Sequence, residues 1–425
     1  MSTEGPNIDR RANEVLSSLI IDEPVVAIHG PRSVGKSTLL RAFAHAHGAE
    51  IIDLDDDLIR DAAHANPSAA VGGSRPVCID EYQHVPDLLN ALKARLNREG
   101  ALPGTAVLTG STRPDALPRT AQALTGRLHA FTLWPLAQAE IEGSSFSLLS
   151  DLRENPDKTV ASVPTSSTTR EEYARRICAG GFPLALRRQG LRRSRWFDDY
   201  IRASVERDAM DLMRVRQREV MREVLDRLVA QTAQVLNISS IADGLESQRS
   251  TIEGYVRLLE DLFLVTRLPA WGRTLAARVG TKPKLHVVDS GVAAKLLRVN
   301  EQTLATLDPA VLTEFGHLLE TFVHGELRKH LSWMEEPATV GHWRTRVGHE
   351  VDVVMEFHDG SVLAFEVKAG ERVSGADFGS LRKLRDLLGE RFVAGVAFST
   401  GTRSYTYEDR LHVMPVDRLW RTGDK

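Results

Sequence analysis

The segment Gly30-Pro31-Arg32-Ser33-Val34-Gly35-Lys36-Ser37-Thr38 follows the apolar run Val25-Val26-Ala27-Ile28 and precedes the helical stretch Leu39-Leu40-Arg41-Ala42-Phe43-Ala44. It matches the pattern G-x-x-x-x-G-K-S/T in full, and strand, loop and helix in that order suit phosphate binding. The glycines let backbone N–H groups turn inward, and the helix N-terminus adds its dipole. Lys36 then neutralises the β- and γ-phosphates, and the Ser37 hydroxyl is the expected Mg²⁺ ligand. The plain alternative is a glycine turn with a surface lysine. Such a site needs a second acidic element on a neighbouring strand, and Val77-Cys78-Ile79-Asp80-Glu81 ends an apolar run in two carboxylates. Asp80 is expected to hold Mg²⁺ through water and Glu81 to polarise the attacking water, which is the chemistry of ATP hydrolysis. A solvated strand end would need neither role.

The next apolar run ends in Leu108-Thr109-Gly110-Ser111-Thr112-Arg113. It places the hydroxyls of Ser111 and Thr112 at the carboxyl edge of a parallel sheet, where a γ-phosphate would be sensed; a turn with side-chain-to-backbone bonds is the competing reading. Arg127, in Leu124-Thr125-Gly126-Arg127-Leu128, could reach a γ-phosphate within the chain or from a neighbouring subunit, or be an ordinary surface arginine. Asp53, Asp55, Asp56 and Asp57 look like a metal cluster, but a strand end followed by helix caps accounts for them better.

A second set of acidic residues lies near the C-terminus: Glu320 in a helical run, then Asp352 in Glu350-Val351-Asp352, then Glu366 and Lys368 in Glu366-Val367-Lys368. If Val351–Met355 and Val362–Val367 pair through His358-Asp359-Gly360, alternation puts Glu366 and Lys368 on one face, able to converge with Asp352. Glu320, Asp352 and Glu366 are then candidate Mg²⁺ ligands, and Lys368 could orient an attacking water for phosphodiester hydrolysis. A charged, solvated hairpin is the alternative. His286 and Asp289, three residues apart on one run, would point to opposite faces and are read as structural. The histidines show no spacing suited to a zinc site.

These groups need elements to hold them. Runs at Val25–Ile28, Glu50–Leu54, Pro76–Asp80 and Ala106–Thr109 alternate with helical stretches, which predicts a doubly wound α/β layer over residues 1–142. Residues 143–169 turn Ser/Thr-rich and are expected to form a linker or a mobile insertion. Helical patterns fill 170–233. In 234–300, a helix capped by Ser239 or Ser240 and a second capped by Ser247, with Ile252, Tyr255, Val256 and Leu259 inward, predict a winged-helix-like unit. Its second helix would present Gln248, Arg249, Glu253 and Arg257, suited to DNA contact or to packing on another domain. Arg187, Arg188, Arg192, Arg193 and Arg195 with Trp196, Phe197 and Tyr200 form the strongest basic patch with aromatics, which is either a nucleic-acid path or, in the preferred reading, a helix with solvated arginines and core aromatics. A small α+β domain is expected over 314–425.

Composition sets the outer bounds. At 425 residues, with 42% hydrophobic and 26% charged, the chain is that of ordinary globular domains, not a disordered or collagen-like one. A net charge of -3 gives no whole-molecule attraction to phosphate backbones, so any nucleic-acid site must be a local patch. Two cysteines, Cys78 and Cys178, make neither a disulfide framework nor a four-thiolate zinc site and fit a reducing compartment. With no basic region followed by an apolar stretch at the N-terminus and no apolar run near the ~18 residues of a spanning helix, a cytoplasmic protein without a membrane segment is expected.

The phosphate-binding loop, Ile79-Asp80-Glu81-Tyr82-Gln83-His84-Val85-Pro86, Leu108-Thr109-Gly110-Ser111, Gly126-Arg127 with Trp134-Pro135-Leu136 and Glu140, and Gly180-Gly181-Phe182-Pro183 together resemble prokaryotic AAA-type P-loop ATPases. The type resembled, AAA family 14, carries a C-terminal domain of unknown function 4143. The resemblance spans nearly the whole chain. It implies ATP and Mg²⁺ as cofactors, with loop residues 30–38 and Ser111 around the nucleotide. The acid, acid, acid-x-lysine order near the C-terminus resembles the restriction-endonuclease-like PD-(D/E)XK core over roughly 314–425, although Glu350 and Val351 stand where that pattern has a proline. The sequence therefore predicts an ATP-hydrolysing AAA-type core, a helical and winged-helix-like middle, and an α+β nuclease-like domain. Two uses follow: hydrolysis coupled to DNA binding or processing, or a nucleotide-dependent switch that acts on a protein partner or assembles as a homo-oligomer, with a nuclease-like domain that does not cleave.

Overall fold

The computed structural model of the chain describes residues 8–113, 124–145, 147–163, 165–205, 218–245, 247–272, 274 and 282–421. Five apolar runs, β1 (Val25–His29), β2 (Ile51–Asp53), β3 (Val77–Asp80), β4 (Ala106–Gly110) and β5 (Leu128–Thr132), form a parallel sheet in the order β2-β3-β4-β1-β5. Unbroken apolar strands arise because both faces are covered, and successive residues alternate between them. Val26 and Ile28 enter one core with Leu16 of helix Ala12–Asp22 and Leu39, Leu40 and Phe43 of helix Lys36–Ala46. Val25 and Ala27 enter a second core with Ala63 of helix Asp57–Ala65 and Leu88, Leu89 and Leu92 of helix Asp87–Glu99. This is the doubly wound α/β layer expected from the alternation of runs. One expectation is corrected: β3 is not the neighbour of β1, because β4 lies between them. Strand order is not carried by the local pattern of an apolar run, which reads the same wherever the strand pairs.

Residues 143–169, expected as a linker or a mobile insertion, include helices Leu148–Glu154 and Pro156–Ser162. Leu148, Leu149, Leu152 and Val160 are buried in the large core, and Ser166 and Thr168 donate to Asp417 Oδ2 at 2.6 and 2.7 Å. Two of the hydroxyls of this Ser/Thr-rich stretch thus serve a buried carboxylate, while Thr165, Ser167 and Thr169 stay exposed.

Further along lie helices Arg170–Ala179, Gly190–Ala203 and Arg218–Val229, then β6 (Gln234–Val235), helices Ile238–Ala242 and Arg249–Asp261, β7 (Val265–Leu268) and β8 (Lys284–Val287). The three strands pair antiparallel in the order β6-β8-β7. Asn237 and Gln248, not the serines expected, occupy the N-cap positions of the two helices, and Ile252, Tyr255, Val256 and Leu259 are buried as expected. After helix Ser290–Leu296, capped by Asp289, the 23-residue helix Pro309–Leu331 crosses to the last sheet.

That sheet holds β9 (Ala338–Arg344), β10 (Glu350–Phe357), β11 (Val362–Lys368), β12 (Phe392–Ser399), β13 (Tyr405–Glu408) and β14 (Leu411–Pro415), ordered β13-β14-β12-β11-β10-β9. It is mixed: β9, β10 and β11 are antiparallel, β11, β12 and β14 parallel. Val353, Met355, Leu363 and Phe365 face the long helix through Phe315, Leu318 and Leu319, while Val351, Val354, Val362 and Ala364 face Leu381 and Leu384 of helix Gly379–Leu388. Among the described residues, no helix is long and apolar enough to cross a membrane.

Candidate functional site

The loop after β1 is pressed against the chain leaving β5. Gly30 lies so near this strap that an added Cβ would meet Leu133 O at 2.3 Å, so a side chain there would push the loop off the sheet. Leu133 N–H donates to His29 O at 2.7 Å, and Arg10 ties Val34 O (2.9 Å) to Trp134 O (2.6 Å). Helix Lys36–Ala46 starts at Gly35 with no side-chain cap, leaving its N-terminal dipole facing the loop. Lys36 is buried, with Nζ 3.1 Å from both Gly30 O and Pro31 O and 4.0 Å from Glu81 Oε1. Arg32, Ser33 and Thr38 are exposed, Val34 is buried, and Ser37 is half-buried at the start of the helix.

Across β4, Asp80 ends β3 and is buried, with Oδ1 accepting from the Thr109 hydroxyl. Glu81 then takes a left-handed conformation, φ 53° and ψ 47°, uncommon for a residue with a Cβ. The reversal turns Glu81 toward β4: Oε2 accepts from Gln83 Nε2 (2.5 Å) and Ser111 Oγ (2.8 Å), and its N–H donates to Thr109 Oγ1 (3.2 Å). Burial raises the Glu81 pKa, but Lys36, the bonds from Gln83 and Ser111, and Arg32 outweigh it and hold the carboxyl below its ordinary value. Glu81 is thus a carboxylate at neutral pH, placed between the lysine and the hydroxyl edge.

Lys36, Asp80, Glu81 and Ser111 therefore share one edge of the sheet. Two buried atoms beside them, Gln83 Oε1 and Thr112 Oγ1, have no hydrogen-bond partner. Unpaired buried polar atoms suit a site that takes a polar ligand and its water. The donor set also fits Mg²⁺, since Ser37 and Asp80 supply the hard oxygens that ion prefers. Gln83, Thr109 and His29, whose Nδ1 lies 2.7 Å from Thr112 O, were not assigned roles by sequence reasoning. Gln83 and Thr109 stand inside the singled-out runs, but only the structure shows that Gln83 donates to Ser111 and Glu81 and that Thr109 bonds Asp80.

Arg127 does not join this edge. Its carbonyl accepts from Val25 N–H at 3.2 Å and Leu128 pairs with Val25, so it sits where β1 begins, while the loop follows its end. A strand of this length spans roughly 13 Å at ~3.3 Å per residue, and the Arg127 guanidinium is turned to Asn97 Oδ1 at 2.6 Å. The expected reach to a γ-phosphate within the chain is corrected on that ground. The Asp53–Asp57 group is a strand end and caps, as favoured: Asp56 Oδ1 accepts from Leu58 N–H (2.8 Å) and Ile59 N–H (3.2 Å). Of the aromatics of the basic patch, Phe197 and Tyr200 are core and Trp196 is half-buried, with Trp196 and Tyr200 packed on Phe182.

The C-terminal acids converge from the long helix, β10 and β11, but around a group the sequence reading missed. Lys284, the first residue of β8, is 2% exposed, and its Nζ lies 2.9 Å from Glu320 Oε1, 2.8 Å from Asp352 Oδ1 and 2.7 Å from Glu350 Oε1. Burial opposes its charge, yet Asp352, Glu320 and Glu350 hold its pKa well above the ordinary lysine value. Asp352 Oδ2 accepts from Val367 N–H at 2.9 Å, and Lys368 pairs with Glu366 Oε1 at 2.9 Å. Burial first, then the charge of Asp352, pushes Glu366 up to about 8 and Glu320 well above the carboxylate range. The expectation that Glu320, Asp352 and Glu366 gather around Mg²⁺ is corrected: an ammonium lies among them. Among the described residues no group of three or more His, Cys, Asp or Glu side chains is spaced to hold a metal ion. No local signal marks Lys284-Leu285-His286-Val287 as holding a buried charge, because a lysine that opens a strand can as easily reach solvent.

Residues 22–142 match an AAA domain, residues 170–303 a domain of unknown function (DUF8612) and residues 315–419 a domain of unknown function (DUF4143). Uncharacterized proteins of Mycobacterium bovis and Mycobacterium tuberculosis are each 26% identical over 403 residues, covering 94% of this chain and 82% of theirs. Among solved structures, the Walker-type ATPase paby2304 of Pyrococcus abyssi aligns at 17% identity with a TM-score of 0.41, covering 68% of this chain and 96% of that one. The RuvB Holliday junction branch migration motor of Thermotoga maritima aligns at 15% identity and a TM-score of 0.29, covering 62% and 90%. Superpositions this loose carry no functional argument. The family match and the parallel sheet agree that the chain carries an AAA-type P-loop ATPase domain, with DUF4143 at its C-terminal end.

Proposed function

We propose that the protein binds and hydrolyses ATP at the loop 30–38, and that the reading rests above all on Glu81, a carboxylate held between Lys36 and Ser111 at the carboxyl edge of the sheet. Lys36 would leave its loop carbonyls for the β- and γ-phosphates, a short move because its charge is already buried at the loop. Loop N–H groups and the helix start would bind phosphate oxygens. Ser37 and Asp80 are the residues that would hold Mg²⁺, which when bound neutralises charge on the phosphate oxygens. Glu81 would orient the attacking water and accept its proton, with Gln83 fixing the carboxylate and Ser111 and Thr112 bonding the γ-phosphate. Phosphate release should fall to background in Lys36→Ala; turnover unchanged by that substitution would place the activity elsewhere.

The division into 1–142, 170–233, 234–300 and 314–425 serves this reading as an ATPase core, a helical region, a winged-helix-like unit and a nuclease-like domain in a cytoplasmic protein. Helix Arg218–Val229, β6, two short-spaced helices and the β7/β8 pair have the order of a winged helix. Coupling of hydrolysis to DNA through that unit and the C-terminal domain is the first reading. The second is a nucleotide-dependent switch on a protein partner or between copies of the chain, and two observations favour it. Lys284 fills the carboxylate cluster, and Arg249 on the exposed helix face is paired with Glu253 at 3.1 Å instead of standing ready for phosphates. ATP turnover measured with and without duplex and single-stranded DNA separates the two, since stimulation by DNA would restore the first.

A further inference from the structure

The C-terminal cluster has the oxygen donors a divalent cation prefers, but they are spread around an ammonium and not drawn in to metal spacing. The Lys284 ammonium donates to Glu320 Oε1 at 2.9 Å and Asp352 Oδ1 at 2.8 Å and lies 2.7 Å from Glu350 Oε1 as an ion pair, so three carboxylates surround its charge. The lysine is not a surface group that swings in. Its own strand β8 is paired on both sides, and the neighbouring backbone is fixed to β9: His342 Nε2 lies 3.0 Å from Lys282 O, and Trp271 N–H donates to His342 O at 2.7 Å. A further observation shows what the lysine leaves unserved. Glu366 is 9% exposed, and its Oε2 is buried with no hydrogen-bond partner, because Lys284 donates to Glu320 and Asp352 and Lys368 to the other Glu366 oxygen.

We propose that Lys284 is the resident cation of this cluster: its ammonium takes the seat a divalent ion would need, so that lysine and metal exclude each other, and the chain itself joins the β6-β8-β7 unit to the C-terminal sheet through that seat. Removing the ammonium leaves Glu320, Asp352 and Glu366 facing one another, with Lys368 paired to Glu366 and Arg344 3.6 Å from Glu350 at the edge of the cluster. Like charges at this spacing must then take up protons or recruit a cation. Small hard ions such as Mg²⁺ or Mn²⁺ accept oxygen-only ligands of this kind. The inference does not depend on ATP hydrolysis.

Mn²⁺ titration of the nucleotide-free full-length chain, followed by electron paramagnetic resonance, tests it. Wild type should show no Asp352-dependent Mn²⁺ site. Lys284→Met should gain one Mn²⁺ per chain, about tenfold or more tighter than any site in wild type, and lose it in Lys284→Met/Asp352→Asn. Should Lys284→Met fail to fold, Lys284→Met/Glu350→Gln removes one of the opposed charges and serves in its place. Wild type alone also decides: one tightly bound Mn²⁺ that persists in Asp80→Asn and vanishes in Asp352→Asn overturns the proposal. A folded Lys284→Met chain that gains no Mn²⁺ overturns it equally.

Discussion

Glu81 and Lys284 show how much a single side chain's surroundings decide. Both are charged residues at the ends of apolar runs, Glu81 half-buried beside Lys36 and Lys284 buried among carboxylates. Glu81 is stabilised as an anion beside an open loop, so it can do proton chemistry, whereas Lys284 is enclosed by three carboxylates, so it can only hold. Glu81→Gln should therefore keep ATP affinity within a few-fold while slowing turnover by about 100-fold or more, the usual size of a general-base contribution; equal loss in binding and turnover would make Glu81 a structural residue. Lys284→Met should cost about 3 kcal/mol in urea unfolding, because buried carboxylates lose their counter-charge. A stability within 1 kcal/mol of wild type, roughly the worth of an exposed ion pair, would show that the cluster is open to water.

At the scale of elements, the strap after β5 joins the nucleotide loop to the rest of the molecule. Leu133 binds β1, Leu136 N–H donates to Gly181 O at 2.8 Å, and Gln138 N–H donates to Glu326 Oε2 on the long helix at 2.7 Å. Gly181 in turn donates to Asp289 Oδ2 at 2.7 Å, so the cap of helix Ser290–Leu296 also holds this joint. Gly180 has φ 64°, and a Cβ there would meet Asp289 Oδ1 at 2.3 Å. Gly180→Ala should accordingly destabilise the chain by about 3 kcal/mol, through the left-handed backbone and the clash together. A denaturation midpoint equal to wild type would mean that the joint gives way at little cost. The motif Gly180-Gly181-Phe182-Pro183 was legible in the sequence, but its partner Asp289, some hundred residues on, reads there only as a structural residue of its own run.

For the whole molecule, pH acts through buried groups of opposite sign. His324 and His330, on the long helix, are pressed down to about 3 and about 4, by burial above all. A base depressed in the folded state contributes stability that is full above the unfolded value near 6.5 and is lost as pH falls toward the folded one. Glu366, raised to about 8, works the other way, its contribution fading as pH rises through that value. A difference measurement isolates one group. His324→Gln should flatten the pH dependence of unfolding free energy between pH 6 and 4.5 by about one proton, or about 1.4 kcal/mol per pH unit. Unchanged slopes would show that His324 is protonated in the folded chain.

What the sequence by itself determined is what depends on neighbours in the chain. The order strand, glycine loop, lysine, helix is local geometry, so residues 30–38 could be read directly, as could the buried strands and the alternation that brings Asp352 together with Glu366 and Lys368. Only the tertiary structure decided what depends on pairing across long separations. It put β4 between β1 and β3, sent Arg127 to the far end of the sheet, folded residues 148–162 into the core and set Lys284 among the C-terminal acids. The physical reason is common to all four. Periodicity fixes which face of an element is buried, but not which element buries it, and an ion pair between residues 68 apart leaves no mark on the local pattern of either.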